Sequence, residues 1–82
     1  MMSKFEKALQ RLRQNPKHVR FQEIEKILVR LGFEKRQEGT SHAVFSKPGC
    51  EPITVPKRKP FVKPHYVKEL LSRLDEWGIL DE

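Results

Sequence analysis

His42 is the residue of this chain best suited to chemistry. In the stretch GTSHAVFSK it stands between a turn signal, Gly39-Thr40-Ser41, and a short apolar run, Ala43-Val44-Phe45. An imidazole with an ordinary pKa of about 6.5 takes up or gives a proton near neutral pH. Strand alternation puts His42, Val44 and Ser46 on one face and Ala43 and Phe45 on the other. If Phe45 packs under helices, His42 faces outward on an open sheet. The plain alternative is a strand histidine that is structural or merely exposed.

No residue type or spacing names the reaction such a group would serve; RNA cleavage is what the family resemblance given below implies, and the chemistry is consistent with it. RNA carries its own nucleophile, the ribose 2′-hydroxyl. A catalyst must supply a base for that proton, an acid for the leaving oxygen, and cations around the phosphorane charge. The cations stand at Lys57, Arg58 and Lys59, followed by Lys63, just before a helix expected to begin near Pro64. Lysines there, with the free N–H groups of the helix end, can hold phosphate. Ser41 reads as a turn residue that orients the strand, with its hydroxyl within reach of phosphate. His65, beside Pro64, is the best candidate for a second proton-transfer group, a helix-terminus role being the alternative. His18 lies in a basic linker and reads as exposed. No pair of histidines has recognisable ligand spacing, so neither a metal site nor a cofactor is expected. Cys50 reads as a turn residue without a basic partner to activate it. Phe61 and Trp77 read as core.

Periodicity supplies the elements that would position these residues. Phe5, Ala8, Leu9 and Leu12 recur at helical spacing in residues 3–14, and Ser3 with Glu6 has capping-box spacing. Asn15-Pro16 ends that helix, and residues 17–20 read as a short linker. Phe21, Ile24, Ile27, Leu28 and Leu31 predict a second helix over residues 21–31. It lacks a good N-cap residue and stops at Gly32. Three strands follow: residues 33–38, polar enough for an edge; residues 41–47; and residues 53–55, bracketed by Pro52 and Pro56 and so short or at an edge. Pro48-Gly49 is set for positions i+1 and i+2 of the turn between the last two. Val67, Leu70, Leu71, Leu74 and Trp77 predict a last helix from Pro64 to Trp77, with Ile79 and Leu80 folding back as an apolar tail. The order is helix, helix, three strands, helix: an α+β fold with an antiparallel meander covered on one face.

The chain has 82 residues, enough for one domain that buries about 60% of its unfolded surface. Lys and Arg number 17 against 11 Asp and Glu, a net charge of +6. In the first twenty residues Lys4, Lys7, Arg11, Arg13, Lys17 and Arg20 face only Glu6, whereas Asp75, Glu76, Asp81 and Glu82 make the C-terminal end acidic. A basic surface favours a polyanion, and nucleic acid is the commonest. Solubility alone is the bland reading. The one cysteine excludes an internal disulfide and a paired-cysteine zinc site. No apolar run is long enough for a membrane span, and the start, MMSKFEKALQ, lacks the apolar run of a signal peptide. A cytoplasmic location is expected.

Residues 21 to about 80 resemble the HicA family, also called YcfA-like, the small toxins of HicA–HicB toxin–antitoxin pairs. The resemblance lies in a helix ending in Leu31-Gly32-Phe33, a Ser41-His42 pair opening the second strand, and the Pro48-Gly49 turn. It continues in a strand from Ile53 to Pro56, the basic loop Lys57-Arg58-Lys59, and the helix from Pro64. The family often has Gly, Ser and His in succession. Here Thr40 precedes Ser41 and the glycine sits one place earlier, which leaves the Ser-His pair in place. The resemblance implies an α-β-β-β-α core like the double-stranded RNA-binding domain, over residues 21–82. Residues 1–20 are then an extra N-terminal helix and basic linker. It also implies an mRNA interferase, a metal-independent endoribonuclease with the strand histidine His42 as general acid or base, held in check by a HicB-like antitoxin. The alternative from another class is a non-catalytic RNA-binding module using the same basic face. A DNA-binding protein is a weaker third reading, because no helix looks like a recognition helix.

Overall fold

Leu12, Ile24, Phe45 and Leu74 come from four different elements and are all buried in one core. The structure is a computed structural model that describes residues 3–36, 41–57 and 59–78. Within it α1 spans Lys4–Gln14, a 3-10 turn spans Pro16–His18, and α2 spans Phe21–Arg30. β1 (Glu34–Lys35), β2 (His42–Lys47) and β3 (Cys50–Pro56) follow, and α3 (Pro64–Glu76) closes the order. The sheet is antiparallel in the order β1-β2-β3. This is the expected α+β architecture, broadly that of a double-stranded RNA-binding domain with one more helix in front.

Each apolar stripe goes where its period sends it. Leu9 and Leu12 of α1, Ile24, Ile27 and Leu28 of α2, and Val67, Leu70, Leu71 and Leu74 of α3 are buried. Phe5, Ala8, Phe21, Leu31 and Trp77 pack half-buried against them. From the sheet, Ala43, Phe45, Ile53 and Val55 join this core. His42 and Thr54, on the opposite face, are exposed. One face is covered and the other open, so His42 faces solvent.

Helix ends follow local chemistry. Ser3 Oγ accepts from the Glu6 N–H at 3.1 Å, the forward half of a capping box. At the start of α2 only the reverse half exists: the Glu23 carboxylate accepts from the Arg20 N–H at 2.8 Å, since a guanidinium has nothing with which to accept. α2 ends in a Schellman motif. The Phe33 N–H reaches the Leu28 carbonyl at 2.9 Å and the Gly32 N–H reaches that of Val29 at 3.0 Å, with Gly32 at φ 98°. Lys47 Nζ satisfies a further carbonyl, that of Leu31, at 2.6 Å. The Leu31-Gly32-Phe33 signature is thus a helix stop that drops Phe33 into the core.

Several expectations need correction. β3 is seven residues long, not three. Its prolines are tolerated for separate reasons. The register passes from Phe45↔Ile53 to Lys47↔Cys50, so Glu51 and Pro52 both stand opposite Ser46 in a bulge. Pro56 lies opposite His42. The Lys57 N–H bonds the Ser41 carbonyl at 2.7 Å and the Arg36 N–H bonds that of Val44 at 2.7 Å. Odd-numbered residues of β2 therefore bond β3, and Pro56 would have pointed its missing N–H outward from the sheet edge. β1 is only two residues, an edge strand as expected; its expected end at residues 37–38 and the Gly39-Thr40 turn lie outside the described residues, as do Ile79 and Leu80.

The linker is also more than a linker. Val19 is fully buried, and its carbonyl accepts from the Val62 N–H at 2.8 Å. Val62, not Phe61, is the buried residue of the segment before α3; Phe61 is half-exposed. Cys50 begins β3 half-buried against the core and is not a turn residue.

Candidate functional site

His42 is the first residue of β2, exposed, with its neighbour fixed on both sides. The Ser41 hydroxyl lies 3.1 Å from His42 Nδ1. The Ser41 backbone carbonyl holds the Lys57 N–H. Since His42 pairs with Pro56, the chain passes straight from the strand pair into the basic connection to α3. Ser41, His42, Pro56 and Lys57 line one shallow hollow at this end of the sheet. A hydroxyl, an imidazole and a lysine thus come together around an open surface.

The other expected residues are less close. Lys59 and Lys63 are exposed and stand further along the same connection, Lys63 as the residue capping the start of α3. They do not line the hollow, and Arg58 lies outside the described residues. His65 is exposed in the first turn of α3 with its ring 4.1 Å from that of Tyr66, and it does not line the hollow either. The Ser41 hydroxyl lies against the imidazole, a contact added to its expected place at the turn before the strand. Among the described residues no three His, Cys, Asp or Glu side chains gather where a metal ion could be held, and no helix is long and apolar enough to cross a membrane.

The basic residues of the N-terminal region divide into two sets. Arg11 is committed to Glu23 at 2.7 Å and to the His18 carbonyl at 2.9 Å. Arg13 is committed to Asp75 through two bonds of 2.9 and 3.3 Å. The hydrogen bonds and charge of the Arg13 guanidinium hold the Asp75 carboxyl below its ordinary range, against the opposing effect of burial. Burial works to raise Glu23, but the bonds from Arg11 and the Arg20 N–H, with both positive charges, bring it below its ordinary range. Lys17 and His18 remain on the surface, with the His18 ring edge-on to Phe61 at 5.2 Å. Sequence reasoning missed that contact and the Val19–Val62 bond, because single apolar residues in polar segments carry no periodicity.

The family described as HicA toxin of bacterial toxin-antitoxin matches residues 21–75, well over half of the chain. The chain belongs to the HicA toxin family. It is therefore the toxin of a toxin–antitoxin pair, and membership implies a cognate antitoxin as partner. The match to the HicA toxins runs from the first residue of α2 nearly to the end of α3 and contains Ser41, His42 and the basic connection. α1 and the 3-10 turn lie outside it. No curated protein and no solved structure matches the chain.

Proposed function

We propose that this toxin is an endoribonuclease that cleaves mRNA, with His42 as its general acid or base. The observation that carries the reading is the contact of Ser41 Oγ with His42 Nδ1 at 3.1 Å, at an exposed strand end beside Lys57. The direction of that hydrogen bond follows the tautomer of the imidazole, so either ring nitrogen can carry the transferable proton. In the cleavage step a ribose 2′-oxygen gives up its proton and bonds to the adjacent phosphorus. The P–O5′ bond breaks and the 5′-oxygen gains a proton. The products are a 2′,3′-cyclic phosphate and a 5′-hydroxyl, with no electron transferred and no cofactor consumed. Lys57 stabilises the added negative charge in the transition state, and Lys59, Lys63 and Arg58 hold flanking phosphates.

In this reading residues 21–82 are the HicA-like catalytic domain and residues 1–20 an extension built onto it. A HicB-like antitoxin covers His42 and the basic connection. The cationic surface that attracts RNA also steers an acidic inhibitor, and an interface of roughly 1,200–2,000 Å² is enough to bury the hollow. Expression of the chain alone, with growth and RNA integrity followed, tests the reading. It predicts arrested growth and mRNA fragments ending in cyclic phosphate, both reversed by co-expression of the neighbouring antitoxin. Intact RNA in cells that accumulate the folded protein contradicts it.

A further inference from the structure

The N-terminal segment lies outside the family match, yet it is not a loose tail. Leu9, Leu12 and Val19 are buried, Arg13 clamps Asp75 of α3, and the Val19 carbonyl holds the Val62 N–H. The 3-10 turn therefore docks beside the connection that leads from the hollow to α3. The 3-10 turn belongs to one stretch of sequence without a single acid, residues 7–22, and lies beside Phe61 and Val62 of another, residues 59–68. Arg11 and Arg13 are used up in ion pairs. Lys17 on the turn is exposed, as are Lys59 and Lys63 on the connection. The same turn, the connection and the start of α3 carry two ring pairs, His18 with Phe61 and His65 with Tyr66. His18 and His65 are exposed, Phe61 and Tyr66 half-exposed.

We propose that Lys17 and His18 extend the RNA-binding surface, so that a single strand leaving the His42 hollow runs along Lys59 and Lys63 and on to the 3-10 turn. The inference rests on the ribonuclease reading above. A row of cations with flat rings between them is the arrangement that holds single-stranded nucleic acid: the cations take phosphates and the rings stack bases. An acidic protein would be served by the cations alone. The extension thereby lengthens the stretch of RNA that the toxin grips without adding a group to the reacting centre.

The test uses the full chain carrying His42→Ala, so that RNA stays intact, and mixed-sequence single-stranded RNA of 4 and 16 nucleotides labelled with fluorescein. Adding Lys17→Glu is expected to weaken binding of the 16-mer about three- to tenfold and to change binding of the 4-mer less than twofold. Adding Lys17→Ala instead should lower the slope of log affinity against log salt for the 16-mer by about 0.7, the value of one phosphate contact on a single strand. His18→Phe keeps a ring against Phe61 and should retain 16-mer binding, whereas His18→Ala should weaken it. Equal loss on both lengths, or an unchanged salt slope, overturns the proposal. So does unchanged 16-mer binding with weakened antitoxin binding, which would make the strip a protein contact. RNA left uncut by the wild-type chain is a separate result, and it would count against the ribonuclease reading instead.

Discussion

The backbone N–H of Lys57 donates to the carbonyl of Ser41 at 2.7 Å, which makes the residue before His42 and the first residue of the basic connection one rung of the β2–β3 pairing. Residues fourteen to sixteen positions apart in sequence are set around one hollow by main chain alone. Side-chain replacement there can alter chemistry or charge without undoing the frame that holds it.

Neutralising Lys57, Arg58, Lys59 and Lys63 together should weaken RNA binding to about the same degree for every sequence, because phosphate contacts carry no base information. The slope of log affinity against log salt should fall by roughly 2–3 for single-stranded RNA. Binding titrations at four salt concentrations measure it. A slope equal to that of wild type would make the connection a solvated charge cluster only.

Gly32→Ala should destabilise the fold by about 1 kcal/mol or more, seen as a lower denaturant midpoint at unchanged m-value. Conformation is the cause rather than space. Gly32 has φ 98°, whereas an added Cβ would meet Lys47 Nζ no closer than 3.5 Å, an ordinary contact. A variant as stable as wild type would show that the helix stop does not need the left-handed residue.

Acid should loosen the attachment of α1. Glu23 and Asp75 both ionise at lower pH in the folded chain than their ordinary range. Their contribution is therefore complete above the unfolded carboxylate range, about pH 4, and is lost as pH falls through the lowered folded values. Both pairs are partly exposed, so screening by solvent keeps the effect small. The double variant Glu23→Gln, Asp75→Asn should lose stability less steeply than wild type as pH falls from about 5 to 2. Parallel curves would mean that these pairs do not contribute.

The fold was legible in the sequence wherever a period ran long enough. The stripes of α1, α2 and α3, the Gly32 stop and the Pro48-Gly49 turn are written in local patterns, and each lies where it was expected. What was hidden depends on partners far along the chain. Pro52 and Pro56 look like strand breakers until the register shows one in a bulge and the other at an outward edge position. Val19 and Val62, forty-three positions apart, find each other with nothing in either neighbourhood to announce it. At the site, the exposure of His42 followed from alternation against Phe45. The contact between the Ser41 hydroxyl and Nδ1 did not, because a side-chain torsion is not a sequence pattern. Lys59, Lys63 and His65 are near one another in sequence, but they do not line the hollow.

Cleavage of RNA by purified His42→Ala protein, beside wild type and with thermal unfolding recorded for both, tests the central claim most directly. His42 is exposed at a strand end, so its replacement should change stability by no more than about 0.5 kcal/mol. The account predicts cleavage slowed by ~10²–10⁴-fold, the usual worth of one acid–base group, in a protein that unfolds at the wild-type temperature. Cleavage at the wild-type rate by the folded variant would contradict it.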